Sequence, residues 1–203
     1  MDNREVRVEH DGCPETIEGN EAINEQTPAL VTPEAWRPYL RDYGKSWAED
    51  CDVHRLVELG LEDEPDPWLG AEPAGEDVVA AAEQRLGVRF PPSFRGFLLT
   101  SDGWHGVFGW IDEVHSCADV HWLRDISTGR NLIKLYSEGA AEDDEYATLL
   151  RQSLAVAKGE DLWLLDPTDT GADGEWAAWE FQIKYGDFGR YGSFAELFHA
   201  SRR

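Results

Sequence analysis

In the first half of the chain, hydrophobic residues recur at the three- and four-residue spacing of amphipathic helices. The segment VTPEAWRPYLRDYGKSW predicts a helix that is capped by Thr32 and has a proline at its first position. VHRLVELGL predicts a shorter helix that ends at Gly60. The apolar stripe of the first helix needs a surface to pack on, so we expect this helix to belong to a folded domain. The stripe consists of Trp36, Tyr39, Leu40, Tyr43 and Trp47.

The next segment, EDVVAAAEQRLGVRFPPSFRGFLLTSDG, predicts two helices joined at a corner. Gly87 stands where a left-handed residue ends the first helix, and Pro91-Pro92 make a rigid corner that opens the second. Ser101-Asp102-Gly103 is expected to end the second helix, with the glycine at a positive φ. The predicted apolar faces are Val78, Val79, Ala82 and Leu86 on the first helix, and Phe94, Phe97 and Leu98 on the second.

After Trp104 the hydrophobic period shortens, and bulky β-forming residues predict strands. The predicted strands are GVFGWI, DVHWLRDI, the two halves of SLAVAKGEDLWLLDP, and EWAAWEFQI. Residues 158–161 divide the third of these segments as a hairpin turn, and Asp166-Pro167 is expected to end its second strand. EDDEYATLLRQS interrupts the strands as a helix, and SFAELFHAS closes the chain as a helix with an S-x-x-E capping box.

This order of elements predicts an α+β fold, with a mainly antiparallel sheet flanked by helices. Residues 1–27 are polar and acidic, so we expect a flexible N-terminal arm. We expect one domain over 28–203, with an N-terminal helix and acidic loop in 28–75 and the core in 76–203. The sequence has neither the roughly 20-residue apolar run of a membrane span nor a signal peptide, so we expect a cytoplasmic protein.

The chain is strongly acidic, with 41 Asp and Glu against 18 Lys and Arg and a formal net charge of −23. Such a charge repels nucleic acid and anionic membranes and attracts cationic partners, although acidity can also serve solubility alone. We therefore expect a basic protein partner, and neither nucleic acid nor a membrane. The 3 cysteines are odd in number and widely spaced, which argues against a disulfide framework and fits a reducing compartment.

The strongest candidates for a metal site or a nucleophile are His105, His115, Cys117 and His121. Their H-x-C-x3-H spacing matches no standard zinc pattern. A nucleophilic cysteine also needs a third group, whose placement the sequence does not give. No glycine-rich phosphate or dinucleotide motif follows a strand. The sequence thus predicts no catalytic residue, metal or cofactor, and a metal-dependent hydrolase is kept only as a remote alternative.

The segment LGVRFPPSFRGFLLTSDGW carries a family pattern. A helix ending in LG, an FP pair, an aromatic residue, FL and a serine-asparagine-glycine-like stop resemble the signature of the SUKH superfamily, the Smi/Knr-like proteins. Asp102 stands where the family often has asparagine, and both residues tolerate this turn. GEDLWLLDP, GEW and SFAELF follow in the family's order, so the resemblance covers residues 68–199.

The resemblance implies an α+β fold without catalytic residues. Many bacterial members are immunity proteins of polymorphic or contact-dependent toxin systems, which bind and neutralise a cognate toxin, often a nuclease. Other members are regulatory or scaffold proteins, as in the control of fungal cell-wall synthesis. An acidic protein suits the first role, because a nuclease cleft that holds a polyanion is basic and associates rapidly with acidic surfaces.

The predicted partner-binding surface begins where the chain leaves the second corner helix. Exposed aromatic residues are expected to anchor it, and carboxylates to meet lysines and arginines of the toxin. Each of these acids can equally be an ordinary solvated loop charge. The candidate residues are Asp102, Trp104, Trp110, Asp112, Glu113, Asp119, Trp122 and Asp125. A regulatory module would use the same fold on a host protein instead of a toxin.

Overall fold

The structure is a computed structural model that describes residues 29–138 and 144–202. The predicted N-terminal arm, 1–27, lies outside the described residues. The helices are α1 (Pro33–Asp50), α2 (Val53–Leu59), α3 (Glu76–Leu86), α4 (Pro92–Leu98), α5 (Ser127–Ser137), α6 (Glu145–Gln152) and α7 (Phe194–Ala200). The strands are β1 (Trp104–His105), β2 (Ile111–Val114), β3 (His121–Trp122), β4 (Leu154–Gly159), β5 (Leu162–Thr170), β6 (Trp176–Gln182) and β7 (Asp187–Tyr191). None of the described helices combines the length and the apolar character needed to cross a membrane.

The strands form one antiparallel sheet in the order β1-β2-β4-β5-β6-β7, and β3 pairs with β4 on the same side as β2. Adjacent strands β4 to β7 are connected by short turns, which antiparallel pairing allows. The architecture confirms the predicted α+β class and the mainly antiparallel sheet.

Helices cover both faces of the sheet, and this explains the unbroken hydrophobic run in β5. Trp163 and Leu165 join the larger core with residues of α1, α3, α4 and α7. Leu162 and Leu164 point to the opposite face and join a smaller core with residues of α5 and α6. Because successive side chains of a strand alternate between faces, a run such as LWLL requires two buried faces.

The predicted N-terminal helix is part of the larger core. Thr32 caps α1 by accepting the Ala35 N–H, as the sequence indicates. Trp36 is fully buried, and its Nε1–H donates to the Ser93 carbonyl at 3.0 Å. The hydroxyl oxygens of Tyr43 and Ser201 lie 2.8 Å apart, which links α1 to the end of α7. Helix α1 is therefore packed into the same core as the sheet.

The predicted strands at 106–111 and 119–126 are wrong in extent. Gly106 and Gly109 have positive φ values of 69° and 79°, so the chain turns there and β2 begins only at Ile111. In the second segment only His121 and Trp122 form a strand, and a 3-10 turn follows at Leu123–Asp125.

Two further expectations are corrected on β5 and α3. Asp166-Pro167 does not end β5, which continues to Thr170 through a register shift against β6. Such an irregularity tolerates Pro167, because it removes the need for a ladder hydrogen bond from the proline nitrogen. Val78 is 42% exposed and lies off the buried face of α3, which consists of Val79, Ala82 and Leu86.

Candidate functional site

The eight candidate residues lie along the side of the sheet where β2 and β3 pair with β4. Ile111 of β2 is opposite Gly159, and Trp122 of β3 is opposite Leu154. These two partners stand at the two ends of β4, a distance of about 17 Å at the usual rise per strand residue. The structure thus arranges the candidates as a strip along the sheet instead of gathering them in one pocket.

The expectation that Trp104 is an exposed anchor is wrong. Its side chain is 1% exposed and packs edge-on against Trp68, with ring centroids 5.1 Å apart. Tyr43 of α1 contacts it from another side, and Gly70 forms an isolated bridge with its backbone. Trp104 is therefore a core residue of strand β1.

Trp122 and Asp102 are half-buried, and both already have structural partners. The Trp122 Nε1–H donates to the Leu86 carbonyl at 3.1 Å, and the guanidinium of Arg124 lies 4.1 Å from the ring centroid. Asp102 Oδ1 accepts the Cys117 N–H at 2.6 Å. Asp102 thus joins the chain after α4 to the loop that leads into β3.

Four of the candidates are exposed, namely Trp110, Asp112, Asp119 and Asp125, with Trp110 62% exposed. Glu113 is half-buried and lies 2.9 Å from the ammonium of Lys158. The hydrogen bond from Lys158 to Glu113 raises the pKa of this lysine. The strip therefore presents an exposed tryptophan and three exposed carboxylates, with Glu113 neutralised by its own partner.

The histidines and the cysteine of residues 105–121 do not form a metal centre. Within residues 29–138 and 144–202, no group of three or more His, Cys, Asp or Glu is placed to hold a metal ion. His115 is buried with Nδ1 3.3 Å from the Ala155 carbonyl oxygen, and burial lowers its pKa. His121 Nδ1 lies 2.6 Å from the Asp119 carbonyl oxygen.

The Cys117 thiol is expected to be unreactive. Burial raises the pKa of Cys117 to about 12, and the hydrogen bond and charge of Asp102 act in the same direction. The thiolate, which is the reactive form, is then only about 10⁻⁴ of the population at pH 8. In a Cys13→Ser/Cys51→Ser background, we expect the aromatic disulfide DTNB to react at least about a hundredfold more slowly with the folded protein than with the protein in guanidinium. Equal rates in the two states would contradict this assignment.

A hollow beside Trp110 contains functional candidates that the sequence did not reveal. Its volume is about 190 Å³, and two carboxylates, Asp161 and Glu180, line it together with aromatic rings. Asp161 is only 5% exposed. The sequence assigns it to a hairpin turn, where a carboxylate is normally solvated. Its burial arises because the β6–β7 turn packs on it, which no local pattern encodes.

Comparison with known proteins identifies the family. No curated protein sequence matches the chain. The model of the SMI1 / KNR4 family (SUKH-1) matches residues 73–199, which is more than half of the chain. The match runs from just before α3 to near the end of α7, so it includes the whole sheet and all eight candidate residues. The resemblance carried by the LG, FPP, FL and GEW motifs is thereby confirmed, and the protein belongs to the SMI1 / KNR4 family (SUKH-1).

Proposed function

We propose that this protein is a non-catalytic immunity protein, which binds a cognate protein toxin and neutralises it by covering a basic surface. Membership of the SUKH family supports a protein-binding role of the immunity or Smi/Knr type. The observation that carries the proposal is the strip beside β4, where exposed Trp110 stands with the exposed carboxylates Asp112, Asp119 and Asp125.

The mechanism is steric and electrostatic blockade, and it requires no chemical step. A net charge of −23 accelerates the approach of a positively charged partner, and this steering weakens as salt is added. An exposed tryptophan contributes binding energy once the surfaces meet, since aromatic residues are enriched among interface hot spots. The carboxylates then pair with lysines and arginines of the toxin.

A nuclease is the toxin that best fits this surface. Its cleft binds the phosphates of nucleic acid and therefore concentrates lysine and arginine. An acidic strip about 17 Å long can lie across such a cleft and exclude the substrate. Binding at the rim would serve equally well, because neutralisation needs only that the nucleic acid cannot enter.

The family also supports a second candidate, a regulatory module of the Smi/Knr type. Such a protein would present the same strip to a host protein instead of a toxin. A toxin gene beside this gene favours immunity, and its absence favours regulation.

The first test is co-expression with the product of the adjacent gene. We expect restored growth and a co-purifying complex, and failure of both would overturn toxin neutralisation.

Reversal of four acids of the strip is expected to slow association with the toxin by about ten- to a thousandfold at low salt, as measured by stopped-flow fluorescence. The reversed residues are Asp112, Glu113, Asp119 and Asp125, each replaced by lysine.

The control variant reverses four acids elsewhere, Glu49, Glu62, Asp63 and Glu64, which are also exposed and change the net charge equally. We expect the association rate of this control variant to fall much less, because its reversed charges lie outside the strip. Equal slowing of association in both variants would contradict the assigned surface, since the net charge alone would then explain the effect. Circular dichroism melting of each variant establishes that it is folded, since Glu113→Lys places a second ammonium beside that of Lys158.

A further inference from the structure

Three turns converge at the end of the sheet that carries Trp110. The Trp110 carbonyl accepts the Asp161 N–H at 3.2 Å, and Asp161 Oδ1 accepts the Ile183 N–H at 3.2 Å. These bonds link the β1–β2 loop, the β4–β5 turn and the β6–β7 turn. Gly159 permits the close approach, because a Cβ at this position would lie 2.1 Å from the Trp110 oxygen. Trp110 is thus exposed but held on a fixed backbone.

Tyr185, in the β6–β7 turn, is the second exposed aromatic residue of this end, with 65% of its surface accessible. Trp110, Tyr185 and Asp161 line a small common hollow together with Glu160 and Lys184. The Lys184 ammonium lies 5.5 Å from the centroid of the Tyr185 ring, and no ion pair joins it to Asp161 among the described residues. Two exposed aromatic residues and the buried Asp161 therefore line the same hollow.

The larger hollow, of about 190 Å³, has Trp110 and Asp161 in its wall and extends toward α7. Glu180 supplies its second carboxylate, and Phe108, Tyr191 and Leu197 supply apolar surface. In the described part of the chain no lysine, arginine or histidine lines it. Neither Asp161 Oδ2 nor the Glu180 carboxylate has a hydrogen-bond donor among the described residues. Burial raises the pKa of Asp161, since no cation compensates for its desolvation.

We infer that this hollow, which we call the Asp161 hollow, binds one lysine or arginine side chain of the protein partner. Its two carboxylates pair with the cationic head, and its apolar wall packs against the aliphatic stem. Trp110 adds a ring face that attracts a cation. This inference rests on the proposed function and names the point at which a basic partner is anchored.

The size of the hollow favours a side chain over a small-molecule ligand. Pockets for small organic ligands occupy about 300–1,000 Å³, and the Asp161 hollow is smaller. Asp161 is only 5% exposed, so its carboxylate is largely desolvated in the free protein, and the arrival of a cation offsets that cost. Such a group distinguishes the hollow from the solvated acids of the strip, which gain little from a single pairing.

Peptides that differ only in charge test the inference without any toxin. The probes are blocked Gly-Arg-Gly and blocked Gly-citrulline-Gly, because citrulline has nearly the shape of arginine and no charge. The measurement is the chemical shift of the Trp110 indole N–H in the full-length protein at low salt, assigned with Trp110→Phe. We expect millimolar binding of the arginine peptide and about tenfold weaker binding of the citrulline peptide.

Two variants locate the binding. Asp161→Asn keeps an oxygen for the Ile183 N–H and so preserves the turn, and Glu180→Gln changes charge alone. We expect each variant to weaken binding of the arginine peptide about five- to tenfold. The control Glu62→Gln removes an exposed charge that lies in neither the strip nor the hollow, and it should change this binding by less than about twofold. Equal affinity for the two peptides, or no loss in Asp161→Asn and Glu180→Gln, would overturn the inference.

Failure here is distinguishable from failure of the proposed function. Growth rescue without selective peptide binding would reject the Asp161 hollow and retain toxin neutralisation. Selective peptide binding without rescue by any adjacent gene product would retain the hollow and reject the toxin as its partner.

Discussion

Replacing Trp36 by alanine is expected to lower the free energy of unfolding by about 3–5 kcal/mol, the range for large aromatic residues removed from a core. Trp36 is fully buried between α4 and α7. Its ring meets Phe97 and Phe198 edge-on, with centroids 5.5 Å away in both cases. The substitution also removes the donor to the Ser93 carbonyl and leaves that oxygen without its partner.

The result bears on domain organisation, because Trp36 precedes the family match at residues 73–199. A large loss means that α1 is an integral part of the domain and not an appendage. Urea unfolding followed by circular dichroism measures the change, and Trp36→Phe, which retains most of the packing, should lose less. Val53→Ala, at a position that is 68% exposed, is the control and should change stability by less than about 0.5 kcal/mol. If Trp36→Ala matched this control, α1 would contribute nothing to the core.

The sequence predicted the helices well where their end signals are local. Thr32, Gly60 and Gly87 each act through their own backbone and its nearest neighbours, and the structure places them at helix ends as expected. Helix α5 was not predicted, since Ile126 gives it no side-chain cap and Gly129 weakens the helical pattern. A glycine is needed at position 129 because a Cβ there would lie 1.8 Å from the carbonyl oxygen of Leu123, in the preceding 3-10 turn.

Contacts between residues that are distant in sequence also decide which of the candidate surface residues are exposed. Trp104 and Trp110 both follow a glycine, and each stands at or next to the start of a short strand. Even so, Trp104 is 1% exposed and Trp110 is 62% exposed. The difference comes from Trp68 and Tyr43, which are distant in sequence and cover only Trp104. Asp161 was missed for the converse reason, since a turn residue becomes buried only when another turn packs on it.

The family motifs are also connected in a way that their separate sequences do not reveal. Glu175, the acid of the GEW motif, is only 6% exposed and contacts Ser93 in the first turn of α4. Its two carboxylate oxygens accept hydrogen bonds from the backbone N–H and the hydroxyl of Ser93, both at 2.7 Å. Ser93, from the PPSF segment, is 1% exposed. The buried carboxylate thus fastens the proline corner to the start of β6.

Replacing Glu175 by alanine is expected to lower the free energy of unfolding by about 2–4 kcal/mol, because two buried donors of Ser93 then lose their acceptors. Glu175→Gln should lose less than about 1.5 kcal/mol, since its amide oxygen still accepts the Ser93 N–H and its NH₂ can donate to the hydroxyl. Urea unfolding of the two variants at one pH compares them. Equal losses would mean that the carboxyl contributes packing alone.

The pH dependence gives an independent check on the same carboxyl. Burial raises the pKa of Glu175 above its ordinary value of 4.5, so the folded protein binds this proton more tightly than the unfolded chain does. The contribution of Glu175 is therefore fully present below pH 4.5 and is lost as the pH rises through the folded-state pKa. Glu175→Gln cannot titrate, so the stability of the wild-type protein relative to this variant should fall as the pH is raised from 4.5 toward neutrality. A relative stability that rose over this range would show that the hydrogen bonds from Ser93 outweigh the cost of burying the charge.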